Sequence, residues 1–124
     1  MPSILLYNLD GDKGTQVRML CMRLRIRIRN VSPSEYAEPV GALAGLSPLA
    51  CTPCEGSFSD EMAVFVNFDG DLLNRFLREM RATRIPSIAL KAVLTPTNQS
   101  WTSLQLHDEL QREHEAMSRG GTAH

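Results

Sequence analysis

The sequence LLYNLDGD at residues 5–12 decides the fold, because it joins an apolar run directly to a turn and the start of a helix. Ser3–Tyr7 is largely apolar, which predicts a strand, and the Asn-Leu-Asp-Gly-Asp that follows is typical of a turn. From Lys13 to Leu24, apolar side chains recur at the spacing of one helical face. The stretch therefore predicts a strand, a turn and an amphipathic helix in succession.

A second copy of this pattern occurs at residues 64–71, where the sequence reads VFVNFDGD. The apolar run Met62–Phe68 predicts a strand that is buried on both faces, and another amphipathic helix follows it. The alignment continues into the two helices, since Val17 falls on Phe76. We interpret the chain as two βαβα halves.

The remaining elements complete each half. Arg25–Val31 alternates arginine with apolar residues, which predicts a half-exposed strand at a sheet edge. Ser32-Pro-Ser-Glu35 predicts a capping box and one helix that continues to Gly45. Ile88–Leu94 predicts the fourth strand, and a last helix, capped by Thr102 and Gln105, is expected to run to about Ser118.

We therefore predict a single α/β domain over residues 1–124, with a four-stranded, mostly parallel sheet in the order 2-1-3-4 and βαβαβαβα connectivity. The halves cover residues 1–45 and 61–118, and a loop over residues 46–60 joins them. Strands one and three are expected to lie side by side and parallel. Both Asn-x-Asp-Gly-Asp turns would then meet in one crevice at the carboxyl ends of these strands, where open α/β sheets bind ligands.

The composition limits which classes of function are expected for the protein. The chain has 124 residues, 43% of them hydrophobic and 22% charged, with a formal net charge of −1. These values are typical of a globular domain and give no overall attraction to nucleic acid or to a membrane surface. The apolar runs are too short to cross a bilayer, no leader pattern opens the chain, and an odd count of three cysteines argues against a secreted disulfide framework. We expect a cytoplasmic protein, with a homodimer left open.

Acidic turns are the first candidate site. The carboxylates of the shared crevice would be Asp10, Asp12, Asp69 and Asp71. Clusters of carboxylate oxygens suit Mg²⁺ or Ca²⁺, but Asp-Gly pairs also form turns and cap helices. The turn role is the simpler interpretation, so we predict tentative ligand-binding residues here and no metal site.

The cysteine pair Cys51-x-x-Cys54 is the second candidate site. In a cytosolic protein near βαβ units, this spacing can indicate a thiol-redox pair. It precedes strand three instead of opening a helix, and no second pair is present to complete a zinc site. Two ordinary loop cysteines are the simpler interpretation, with the redox pair as an alternative.

The arginines of strand two are a third feature. Arg25, Arg27 and Arg29 point to one side of the predicted strand and could bind phosphate or an RNA backbone. No aromatic residues alternate with them for base stacking, which makes nucleic acid an unlikely partner. A solvated strand edge that resists aggregation explains these arginines more simply.

The sequence LKAVLTPTNQSW at residues 90–101 resembles a small bacterial family known only as a domain of unknown function. The resemblance rests on the pattern Lys-Ala-Val-x-Thr-x-x-Asn-x-x-Trp and covers roughly Glu61 to Met117. It implies a stand-alone bacterial protein without indicating an activity. It directs attention to Lys91, Thr95 and Asn98 as further tentative ligand-binding residues. Lys91 interrupts an apolar strand, so we expect it to pair with a carboxylate.

Together these patterns favour a non-catalytic module that binds an unknown small ligand or protein partner at the carboxyl ends of strands one, three and four. No base, nucleophile and orienting group converge in the sequence, so we predict no catalytic residue and no cofactor. A thiol-redox or metal-dependent enzyme is the alternative.

Overall fold

Four strands and four helices alternate along the chain in the computed structural model, which describes residues 2–50 and 53–122, with side chains described up to residue 117. The strands are β1 (Ser3–Tyr7), β2 (Arg27–Val31), β3 (Met62–Val66) and β4 (Leu90–Val93). The helices are α1 (Gly11–Arg23), α2 (Val40–Leu43), α3 (Gly70–Ala82) and α4 (Ser103–Thr122). The predicted α/β class is confirmed.

The sheet has the predicted order β2-β1-β3-β4, with β2 at one edge and the fully buried β3 in the centre. β2 runs parallel to β1, and β4 runs parallel to β3. The central pair is antiparallel, because Ser3 lies opposite Val66 and Tyr7 opposite Met62. The expectation that strands one and three run parallel is therefore wrong.

This antiparallel pair determines how the helices are layered. βαβ crossovers in proteins are right-handed, so two antiparallel βαβ units side by side place both crossover helices on the same face. One core accordingly holds Leu20 of α1, Phe76 of α3 and Ile4 of β1. The other core holds Leu43 of α2 and Leu106 of α4. The protein is a three-layer α/β/α domain, and its strand directions follow an approximate two-fold axis between β1 and β3.

The single helix predicted to start after Ser32 is also wrong. A 3-10 turn covers Pro33–Glu35, and the short α2 begins only at Val40. Pro39 interrupts the helix because it has no N–H to donate and disfavours helical geometry in the residue before it. The capping box itself is present, since the Ser32 backbone N–H donates to Glu35 Oε1 at 3.1 Å.

Backbone geometry is alike at two pairs of positions, although Gly11 has a positive φ of 72° and Gly70 does not. Asn8 and Asn67, which end β1 and β3, both have φ of 60°, and Arg25 and Arg84, which follow α1 and α3, have φ of 60° and 59°. Asparagine is among the residues that tolerate this left-handed region best. The asparagines of the repeated motif are thus explained first by the turn that they form.

Candidate functional site

The two Asn-x-Asp-Gly-Asp turns lie at opposite ends of the sheet. Because β1 and β3 are antiparallel, the carboxyl end of β1 adjoins the start of β3, and the carboxyl end of β3 adjoins Ser3 at the start of β1. The structure therefore does not bring Asp10 and Asp12 together with Asp69 and Asp71. The predicted shared crevice does not exist, and each end of the sheet has to be considered by itself.

The segment that joins the two halves closes the β1 end. The Asn8 side-chain amide donates to the carbonyl oxygen of Phe58 at 2.9 Å and to that of Asp60 at 3.0 Å. Next to it, Lys13 Nζ donates to Glu61 Oε1 at 2.5 Å and to the Ser87 carbonyl oxygen at 2.9 Å. These bonds fasten the joining segment to both halves of the sheet.

An aromatic stack covers the same end. The Phe58 ring lies between Tyr36, at a centroid distance of 4.4 Å, and His107 of α4, at 4.0 Å. His107 Nε2 lies 3.2 Å from Asp60 Oδ2. The rings leave little space at this end, so the arrangement is suited to holding the segment in place.

Two buried tyrosine hydroxyls complete this closed end. Tyr36 donates to Asn8 Oδ1 at 3.3 Å, and the Tyr7 hydroxyl shares a 2.7 Å hydrogen bond with Ser103. Burial raises the pKa of both hydroxyls above the usual range, and in each case the hydrogen bond partly offsets this. Both hydroxyls stay protonated at neutral pH, so neither is suited to act as a base.

The β3 end is open. A groove of about 360 Å³ lies between the edge strand β2, the start of β1 and the end of α2. We call it the cationic groove, and its lining residues are Ser3, Leu5, Arg27, Ile28, Arg29, Leu43, Ala44, Gly45 and Asn67. Apolar side chains of the core form its floor, and two arginines and an asparagine supply its polar groups.

The two arginines point to the same face of β2. Arg27 lies opposite Ser3 and Arg29 opposite Leu5, so the guanidinium groups lie on the face that carries α2. Arg29 Nη2 donates to Glu35 Oε2 at 2.5 Å, but its buried Nε has no hydrogen-bond partner among the described residues. Arg27 is exposed and forms no ion pair within the described part of the chain. The unpaired positive charge that the groove offers to a ligand is therefore that of Arg27.

The acidic residues of the turns lie at the starts of α1 and α3. Asp69 caps α3, since its Oδ1 accepts from the Leu72 backbone N–H at 2.7 Å. Asp10 is the cap residue of α1 but its side chain accepts no capping hydrogen bond. Asp12 and Asp71 are exposed in the first turns of α1 and α3, where a negative charge favours the helix dipole.

The residues from the family resemblance lie along β4 and the turn after it. Lys91 is exposed, and its Nζ donates to the Ile88 carbonyl oxygen at 2.7 Å. No carboxylate lies within ion-pair distance of it in the described regions, so the expected pairing is wrong. Thr95 and Asn98 cap each other, because the backbone N–H of each donates to the side-chain oxygen of the other, at 2.8 and 3.1 Å. This pair closes the turn that follows β4.

The cysteine pair is described only in part. Cys51 lies outside the described residues, and Cys54 is half-buried with its Sγ donating to the Gly56 carbonyl oxygen at 3.0 Å. Cys21 is fully buried in the α1 core, and burial raises its pKa to about 12. Within residues 2–50 and 53–117, no three His, Cys, Asp or Glu side chains are placed so that they could hold a metal ion.

A larger groove of about 550 Å³ lies between α1 and the end of α3. Its lining includes Met19, which is 59% exposed, and Met22, which is 68% exposed. The surface is mainly apolar and lacks convergent polar groups, so it is a less specific site than the cationic groove.

Sequence reasoning identified the arginine face but assigned it to a solvated edge. The alternation of Arg27 and Arg29 carried the signal for a cationic face, yet only the tertiary structure places Asn67 beside it. The stack of Phe58 and His107 was missed altogether, because these residues lie far apart in a loop and a helix. No local pattern links them.

Comparisons with known proteins address the second half of the chain. The family model of a domain of unknown function (DUF3783) matches residues 61–117. No curated protein and no solved structure matched the chain. In the described regions, no helix combines the length and apolar character that crossing a membrane would need. The matched stretch begins at β3 and ends within α4, so it coincides with the second βαβα half. Residues 61–117 are therefore similar to the family described as a domain of unknown function, DUF3783.

Proposed function

We propose that the protein is a non-catalytic binding module and that its ligand site is the cationic groove. The single observation that carries this proposal is the pair Arg27 and Arg29 on one face of the edge strand, next to Asn67, with the exposed Arg27 in no ion pair among the described residues. Guanidinium groups bind carboxylate and phosphate oxygens through charge-assisted hydrogen bonds. The ligand class is therefore anionic.

The proposal moves the binding site from the acidic turns to the arginines. It keeps the predicted position at the carboxyl end of β3, but it no longer includes the carboxyl end of β1, which the joining segment covers. The tentative roles of Asp10, Asp12, Lys91, Thr95 and Asn98 in ligand binding are not needed by this proposal. A cytoplasmic location and a possible homodimer remain separate predictions.

An NMR titration with sodium pyrophosphate tests the proposal. This small anion can contact two guanidinium groups, so amide shifts are expected at Ser3, at Arg27–Arg29 and at Asn67. Arg27→Gln should weaken binding roughly tenfold, since one charge-assisted hydrogen bond contributes about 1.5 kcal/mol or more. Higher salt should also weaken binding.

Arg75→Gln is the matched control, because Arg75 is exposed on α3 and lies outside the cationic groove. It should bind pyrophosphate as the unchanged protein does. Shifts that lie elsewhere on the surface, or equal losses in the Arg27 and Arg75 variants, would show that only nonspecific charge attraction occurs. Such a result would contradict the proposal.

A further inference from the structure

The approximate two-fold axis shows what kind of group can occupy the cationic groove. At the β1 end, the corresponding position is filled by the joining segment, which passes over the carboxyl end of the strand. Asn8 holds this segment by donating to two of its backbone carbonyl oxygens, those of Phe58 and Asp60. In the first half of the protein, the end of the sheet that corresponds to the groove is thus already covered by a segment of the chain itself.

Asn67 is the counterpart of Asn8 at the open end. It has the same φ of 60°, it lines the cationic groove, and its side chain forms no hydrogen bond with any described residue. An amide held in this orientation by the same turn can donate to the backbone carbonyls of an extended segment, as Asn8 does. An inorganic ion would not need such a group.

The floor of the cationic groove supports the same occupant. Ala44 is half-buried at the floor of the groove, and Leu5 and Leu43 lie in the core beneath it, 1% and 3% exposed. At the occupied end, the segment places Phe58 against the core that includes Tyr7 and Tyr36. A ligand that carries apolar side chains as well as negative charge would fill the groove more completely than a bare anion.

The positive charge of the two arginines favours acidic side chains in this ligand. Arg27 and Arg29 are two residues apart on one strand, so their side chains emerge on the same face about 7 Å apart along the strand. Acidic residues at alternate positions of an extended peptide have the same spacing. Glu35 already neutralises part of the Arg29 charge, so Arg27 is expected to contribute most of the attraction.

We propose that the cationic groove binds an extended, acidic segment of a partner protein, in which carboxylates alternate with apolar side chains, and that Asn67 holds the backbone of this segment. This inference rests on the proposed function and specifies its ligand. Arg27 and Arg29 supply the charge recognition, and Asn67 distinguishes a peptide from a small anion.

Fluorescence anisotropy with a labelled six-residue peptide of alternating glutamate and leucine tests the inference. The unchanged protein should bind this peptide at least about tenfold more tightly than pyrophosphate, because the peptide adds apolar and backbone contacts. A peptide with lysine in place of glutamate should not bind. Arg27→Gln should weaken binding of both anionic probes.

Asn67→Gly tests the peptide inference separately from the proposed anion site. Glycine keeps the left-handed backbone while the side-chain amide is lost. Peptide binding should fall by about fivefold to tenfold, corresponding to one or two lost hydrogen bonds, and pyrophosphate binding should fall by a smaller factor, because the charge of Arg27 contributes most of the attraction for the small anion. Asn74→Ala, an exposed change on α3, is the control and should alter neither.

These experiments distinguish failure of the peptide inference from failure of the proposed function. If pyrophosphate binds at the groove but the peptide binds no more tightly, the inference is wrong and the proposed function stands. If neither probe binds, both are wrong. Sedimentation that shows dimers dependent on Arg27 would identify a second copy of this chain as the occupant, which would overturn the partner-peptide proposal.

Discussion

At residues 8–12 and 67–71 the chain makes two similar turns, each with a left-handed asparagine, an extended aspartate and the start of a 13-residue helix, which differ in that only Gly11 has a positive φ. At the first turn, Asn8 is bonded to the joining segment, which the ring of Phe58 anchors in the core. At the second turn, Asn67 lies in an open groove beside two arginines. A repeated turn thus has a structural role at one end of the sheet and is free to bind at the other.

The difference shows that two similar turns can have different surroundings within one fold. Both asparagines are required by the turn, so their presence in the sequence does not distinguish the two ends. The distinction comes from the single segment that joins the halves, because one segment can cover only one end of the sheet.

Among the variants that test this comparison, Gly14→Ala is expected to change the free energy of unfolding most. A Cβ at Gly14 of α1 would lie 1.9 Å from the carbonyl oxygen of Leu9, which is a backbone atom and cannot move independently. We expect the free energy of unfolding to fall by about 3 kcal/mol or more, since overpacking of this kind commonly costs 1–3 kcal/mol. Urea denaturation measures the change.

Gly70→Ala is the control, at a glycine of the second half that has free space around it. No heavy atom lies within 4 Å of its Cβ position, and alanine favours a helix, so stability should be unchanged or rise by up to about 1 kcal/mol. Equal losses in the two variants would show that the first turn is not the more tightly packed of the two.

Phe58→Ala should open the first end and make it resemble the second. The variant loses the ring contacts with Tyr36 and His107. Because Phe58 is half-buried, we expect a loss of about 2–3 kcal/mol, below the full range for a core phenylalanine. Hydrogen exchange should become faster at Asn8–Asp10 and stay slow in β3. Fast exchange across the whole sheet would contradict a local role.

Asn8→Gly and Asn67→Gly compare the two asparagines directly. Glycine accepts the left-handed backbone in both turns, so only the side-chain interactions are lost. Asn8→Gly should destabilise the fold by about 1–2 kcal/mol through two lost hydrogen bonds, while Asn67→Gly should stay within about 0.5 kcal/mol. Thermal and urea unfolding of the pair measure the difference, and similar losses would refute the division of roles.

The smallest effect concerns a feature that the halves share. Arg25 and Arg84 both follow a helix with positive φ, and in both cases the next backbone N–H donates back to the helix, Ile26 to Cys21 and Ile85 to Met80. Glycine relieves the left-handed strain, so Arg25→Gly and Arg84→Gly should each stabilise the protein by about 0.5–1 kcal/mol. Melting temperatures that rise for only one of the pair would show that the halves differ here too.

The local structure and the strand order could be predicted from the sequence. The period of apolar residues in Val17 to Leu24 and in Leu72 to Met80 determines the two crossover helices, and the buried run at β3 and the arginine-lined β2 indicate centre and edge. The capping pair Thr102 and Gln105 also forms as predicted. These features depend on contacts between near neighbours, which a local pattern records.

Only the tertiary structure decided the direction of β3 relative to β1. The position of the cationic groove depends on that direction. A strand that is buried on both faces has the same apolar pattern in either direction, and a long joining segment can return the chain to either end of the sheet. The packing of α1 and α3 on one face selects the antiparallel pair. That choice separates the acidic turns, places the Phe58 segment over Asn8, and leaves Arg27, Arg29 and Asn67 together at the open end.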